Sequence, residues 1–201
     1  IYNHRTKFVL IYLLIPLLII SPYLVRNYKI FDTITITKSF GYNLWKGNNE
    51  LAKVEGNPGI FSNKIKSDLA KIEDLKKHDL IRDELFKRYA IENLKKEPLK
   101  FFKLYIEKVY SFLILDFDSS YPNYYNLLHV IPKILIFVFT LLGIIYYDKK
   151  NFYLNLFLFL FILNVLLFSV FFILPRYNLA ILPLQILFVS AFTEKLFRKN
   201  K

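Results

Sequence analysis

The sequence predicts a mainly α, polytopic membrane protein with about four transmembrane helices and a small extracytoplasmic domain, α with one short β piece. Three observations carry that prediction. First, 55% of the 201 residues are hydrophobic and 22% are charged, an unusual pairing for a soluble domain. Second, the two classes are segregated: residues 8–25, 151–175 and 177–193 hold no charge, and the apolar run 134–147 extends toward 126 with only Lys133 interrupting. A hydrocarbon core of roughly 30 Å takes roughly 20 such residues as helix. Third, short basic clusters stand at the ends of these runs.

Those clusters set the orientation. His4-Arg5-Thr6-Lys7 precedes the first run, Asp148-Lys149-Lys150 separates two later ones, and Lys195 with Arg198-Lys199-Asn200-Lys201 closes the chain. With spans at 8–25, 127–147, 152–173 and 177–194, all three clusters fall on the cytoplasmic side, as basic flanks do. The organisation expected is a first transmembrane helix over 1–26 and an extracytoplasmic domain over 27–125. A three-helix transmembrane region with a cytoplasmic basic tail follows over 126–201. The expected location is the inner membrane, multi-pass, with both termini cytoplasmic. Reading 8–25 as a signal peptide fits less well, because the run is long and no small-residue cleavage site follows. A fifth span at 101–115 would place Lys103, Glu107 and Lys108 in lipid, at a cost of kilocalories each.

The outer region has its own punctuation. Thr33-Ile34-Thr35-Ile36-Thr37 alternates polar and β-branched apolar residues and predicts a short strand. Gly41, Gly47, Gly56, Pro58 and Gly59 predict an irregular loop over 41–59. A polar helix is expected over 62–76. Over 79–96, Ile81, Leu85, Phe86, Tyr89, Ala90 and Leu94 fall near one helical stripe, with Asp79 as N-cap and Pro98 restarting a helix. The segment near 99–116 sets Lys100, Lys103 and Glu107 on one face and turns uniformly oily in its second half. That is the pattern of a helix lying at the membrane surface. Tyr121, Tyr124 and Tyr125 then form an aromatic belt.

Several chemistries are excluded. Cysteine is absent, so there is no disulfide, thiolate nucleophile or Cys-ligated zinc. His4, His78 and His129 lie in three segments without ligand spacing, so no metal is expected. Asp116-Phe117-Asp118 is a D-x-D triplet of the kind that binds a metal–nucleotide diphosphate in some sugar transferases. On the outer side, acidic residues ending an interfacial helix account for it better. Gly41 to Gly47 has the wrong glycine spacing for a phosphate loop.

Two arginines stand out at the outer boundary. Arg26 ends the first span and Arg176 occupies the Leu174-Pro175-Arg176-Tyr177 hairpin between the last two. Each reads either as a snorkelling anchor or as a planar grip on a lipid-borne phosphate. The tight hairpin makes Arg176 the stronger candidate for the second role.

"YLVRNYKIFDTITITKSFGYNLWKGNN" resembles a junction in bacterial membrane glycosyltransferases of the type C fold, the protein O-mannosyltransferase and aminoarabinose transferase group. "DELFKRYAIENLKKEPLKFFKLYIEKVYSFL" is similar to the helix pair that follows it there, and "LPRYNLAILPLQILFVSAF" to the opening of a late span. The resemblance covers almost the whole chain in order. It implies transfer of a sugar from a polyprenyl-phosphate donor to a lipid or protein acceptor on the extracytoplasmic face. It also implies that Arg26, Tyr42, Asn43, Asn48, Asn49, Arg176 and Tyr177 line the cavity, the arginines on phosphate and the Asn and Tyr residues on sugar hydroxyls.

The family's acidic base lies in an earlier outer loop, so it is expected upstream of Ile1, and neither Asp32 nor Asp116 is assigned that role. The chain therefore reads as the C-terminal part of such an enzyme, inactive by itself. The expected partners are the donor, the acceptor and membrane lipids. Neither a nucleic acid nor a cofactor is expected. A different class remains open: a non-catalytic polytopic protein whose outer domain binds a partner. Several further upstream spans would separate the first reading from the second.

Overall fold

A computed structural model describes residues 2–57 and 61–199, without the side chains of 2–10, 12, 13, 198 and 199. The loop residues Pro58 and Gly59, and the side chains of His4, Arg5, Lys7, Arg198, Lys199, Asn200 and Lys201, lie outside the described part. Every described element of regular structure is helical: α1 (Tyr2–Phe31), α2 (Phe40–Gly47), α3 (Asn63–Ala70), α4 (His78–Lys96), α5 (Pro98–Leu113), α6 (Leu127–Tyr146), α7 (Phe152–Ser169) and α8 (Asn178–Lys199). A 3-10 turn over Pro175–Tyr177 leads into α8.

Among the described residues four helices are long and apolar enough to cross a membrane: Leu14–Phe31, Leu127–Tyr146, Phe152–Ser169 and Pro175–Phe197. The second is 20 residues long, about 30 Å of helix. Large apolar side chains stand exposed along them, among them Leu128 at 86%, Phe152 at 70% and Leu179 at 67%. Such surface suits lipid and not water. Polar side chains inside these helices turn back on their own backbone, as Thr140 does to Ile136 O, Asn164 to Leu160 O and Ser169 to Val165 O. In hydrocarbon each would otherwise lack a partner.

The chain forms two compact units, Ile1–Tyr42 with Phe61–Phe86, and Asn43–Ile60 with Lys87–Lys201. In the second unit α6 and α8 meet at Gly143, where an added Cβ would come within 2.1 Å of Phe188 O. Phe112, Phe161, Val165, Ile173 and Ile181 form the buried core beside that contact. Tyr105 ties α5 to α7 through a 3.2 Å bond to Leu166 O.

Three local expectations are corrected. Thr33–Thr37 forms no strand, because its polar groups are used locally and no partner strand exists among the described residues. Thr35 Oγ1 donates to Thr37 O, Thr37 shares a bond with Ser39, and Asn27 Nδ2 takes the Thr35 carbonyl at 2.7 Å. The region 41–59 is not wholly irregular, since α2 occupies its start. That short helix is capped from far away in sequence: both Asp83 carboxylate oxygens accept, from Gly41 N at 2.9 Å and Tyr42 N at 2.8 Å. Finally, Asp79 lies in the first turn of α4 and is not its cap. Pro98 does open α5, as expected.

Candidate functional site

Within the second unit, the end of α2 is anchored by a buried polar knot. Lys108, on α5, has 0% exposure and donates to Gly47 O at 2.7 Å and Asn48 Oδ1 at 3.2 Å. Asn48 Nδ2 in turn donates to Leu44 O and Val170 O, and Asn93 Nδ2 reaches Asn48 O. Asn49 closes the following turn through Lys46 O and Asn57 O. Burial pulls the Lys108 pKa down to about 7. Gly47 is required at the centre: a Cβ there would stand 1.7 Å from Phe171 O. The knot therefore clamps the end of α2 against the turn that follows α7.

The clamp has a consequence one residue away. Lys46 Nζ lies 4.1 Å from the Phe172 ring centroid. Burial, and then the positive charge of Arg176, hold the Lys46 ammonium below its ordinary range. Arg176 is exposed, its guanidinium 5.8 Å from the Tyr177 ring, and Tyr177 packs on Phe168 and Phe172. Among the described residues no carboxylate pairs with Lys46 or Arg176. Two like charges have thus been brought near each other at the end of two apolar helices. The arrangement suits a dianionic group such as a phosphate monoester.

A second polar cluster lies beyond Pro175. Glu55 accepts from the Ser119 and Ser120 hydroxyls, Asp116 N donates to Tyr124 Oη, and Lys133 donates to Ser111 O at 3.3 Å and Tyr124 Oη at 3.4 Å. The Asn178 amide, oriented to satisfy both neighbours, accepts from Lys133 at 2.8 Å and donates to Phe112 O at 3.2 Å. Burial, with Glu55 and Asp118 nearby, raises the Asp116 pKa against the pull of the Asp118 N–H and Lys133.

The seven residues named from the sequence divide between the units. Arg26 and Tyr42 belong to the first. Arg26 is exposed and donates to Asn27 Oδ1 at 3.3 Å. Tyr42 meets Phe86 edge-on at 5.2 Å and lines a cleft of about 400 Å³ with Arg82 and Asp83. Asn43, Asn48, Asn49, Arg176 and Tyr177 belong to the second. Asn43 is half-buried there, while Asn48 and Asn49 are buried, with their amide donors engaged by backbone carbonyls.

Lys46 and Lys108 escaped the sequence reading. Lys108 was detectable, because it falls in the same helical stripe as Phe101, Leu104 and Phe112, all buried. Lys46 was not, since its setting depends on residues more than a hundred positions away. The chain matches no family model, no curated protein and no solved structure among those compared with it.

Proposed function

We propose that the chain is the donor-holding part of an integral membrane glycosyltransferase, which moves a sugar from a polyprenyl-phosphate carrier to a lipid or protein acceptor. The observation that carries the reading is the Lys46–Arg176 corner, in which Lys46 lies over Phe172, Arg176 lies beside Tyr177, and the two rings pack on each other. Two cations lacking carboxylate partners among the described residues stand beside the turn between two apolar helices, a position that suits a lipid-borne phosphate. A polyprenyl tail stays in hydrocarbon while its phosphate reacts at the boundary, and that phosphate is the leaving group. Cations beside it stabilise charge that grows in the transition state. The basic residues Lys149 and Lys150 stand at the opposite ends of α6 and α7, which supports an extracytoplasmic corner in the inner membrane.

The test is donor-dependent turnover by the complete enzyme in its native membrane, compared at equal expression with its Arg176→Lys and Arg176→Ala variants. Loss of a charge-assisted, partly desolvated contact costs on the order of 2–3 kcal/mol, or about 30- to 150-fold in kcat/KM, for Arg176→Ala. Arg176→Lys keeps the charge but loses the planar fork, and it should recover little of that loss. Near-normal turnover by the lysine variant would make Arg176 a lipid anchor.

A further inference from the structure

Beside the second half of α5 the second unit opens a cleft of about 540 Å³. Its walls include Ile106, Tyr110 and Phe117, and its polar lining includes Glu107, Asp116 and Asp118. Tyr110 and Phe117 stack, with centroids 5.5 Å apart and planes inclined by 27°. Phe117 is 71% exposed, so the stacked pair leaves aromatic surface open at the cleft.

The three carboxylates are not equivalent. Asp118 is paired with Lys53 at 2.8 Å, and Glu107 has Lys103 at 3.9 Å. Asp116 has no ion-pair partner among the described residues, although only 6% of its surface is exposed. Its Oδ1 accepts from Asp118 N at 3.0 Å, while Oδ2 receives no hydrogen bond from the described residues. Among the described residues no buried side-chain oxygen is left without a partner, so this Oδ2 is accessible, and Lys133 acts on the carboxylate only from beyond ion-pair distance. An accessible carboxylate oxygen on the wall of a cleft can accept from a cationic ligand. The chain carries a net charge of +12, so an acidic, aromatic-walled cleft stands apart from its surroundings. No group of three acidic or histidine side chains among the described residues is arranged to hold a metal ion.

We propose that this cleft binds a cationic amine borne on an apolar or ring-shaped body, with Asp116 as its counter-charge and Tyr110 and Phe117 as its aromatic wall. An ammonium donates to the open Asp116 oxygen, sits against ring faces that attract cations, and buries its carbon skeleton on Ile106. Its chemistry is opposite in sign to that of the Lys46–Arg176 corner.

The probe is cyclohexylammonium, titrated into the full chain in phosphatidylcholine nanodiscs while the backbone amide resonances of Leu115–Asp118 are followed by NMR. Cyclohexanol is the neutral counterpart of the same shape, and empty nanodiscs correct for partition into lipid. Saturable shifts are expected with the ammonium, with affinity at least about tenfold above that for cyclohexanol. Asp116→Asn should remove about tenfold of affinity while keeping an oxygen to accept the Asp118 N–H. Phe117→Ala, at an exposed position that folding does not depend on, should cost several-fold. Equal binding of cyclohexanol would point to a neutral ring-binding cleft and overturn the proposal. Undiminished binding by either variant, or no saturable shift with the ammonium, would also overturn it.

Discussion

Lys108 and Arg176 belong to the same compact unit and lie close to the same turn after α7, yet they are treated in opposite ways. Lys108 is buried and engaged by two acceptors of the chain itself, Gly47 O and Asn48 Oδ1. Arg176 is exposed, rests on an aromatic ring and has no acceptor among the described residues. A satisfied buried amine holds structure together, whereas an open guanidinium is available to a ligand. The two are connected, because the knot that satisfies Lys108 also fixes α2 against Phe171 and thereby sets Lys46 over Phe172. Rigidity in one place positions charge in the other.

The sharpest way to break this pairing is Gly47→Ala. Its Cβ would collide with backbone, which cannot move aside as a side chain could. We expect a loss of about 3 kcal/mol of stability, or failure to fold, read from the fluorescence of Trp45, the one tryptophan, which is 2% exposed beside the knot. Lys108→Met should come next, at about 2–3 kcal/mol, because it leaves the Gly47 carbonyl and the Asn48 amide oxygen buried without their donor.

The same lysine predicts a pH dependence. Its pKa is about 7 in the folded protein against 10.5 for an ordinary lysine. Between those values the unfolded chain binds more protons, so the Lys108 contribution makes stability rise with pH from about 7 toward 10.5. The neutral amine still has two hydrogens for its two acceptors. The stability deficit of Lys108→Met should therefore grow with pH across that window, and a deficit independent of pH would argue against a buried, depressed lysine. At the open corner the expectation reverses. Arg176→Ala should change unfolding by less than about 0.5 kcal/mol, because the side chain is exposed and makes no hydrogen bond among the described residues.

The same contrast explains what was legible in the sequence. Local signals were sufficient for the membrane helices: 127–147 and 177–194 were expected, and α6 and α8 run Leu127–Tyr146 and Asn178–Lys199. Pro98 marked the start of α5 for the same reason, since a proline at a helix start acts within one turn. α1 extends past the expected end at residue 25 to Phe31, and α7 stops at Ser169, short of 173. α2 was missed because its cap comes from Asp83, 42 positions from Gly41, and nothing near Phe40 announces a helix. The supposed strand was an alternation of threonines that found local acceptors instead of a neighbour. For the candidate site, the Pro175-Arg176-Tyr177 hairpin could be found by inspection. Its companion Lys46 could not, because only the fold brings α2 to Phe172.

The central claim is that Lys46 and Arg176 together hold a lipid-borne phosphate. The direct measurement is 31P NMR of a fifteen-carbon prenyl phosphate in phosphatidylcholine nanodiscs, where the monoester resonance is distinct from the lipid diester, titrated with wild-type protein and with Lys46→Ala/Arg176→Ala. The account predicts a saturable shift with the wild type and affinity weakened by roughly 100-fold or more in the double variant, because each charge-assisted contact contributes about 1.5–3 kcal/mol. Equal affinity for both proteins would contradict it.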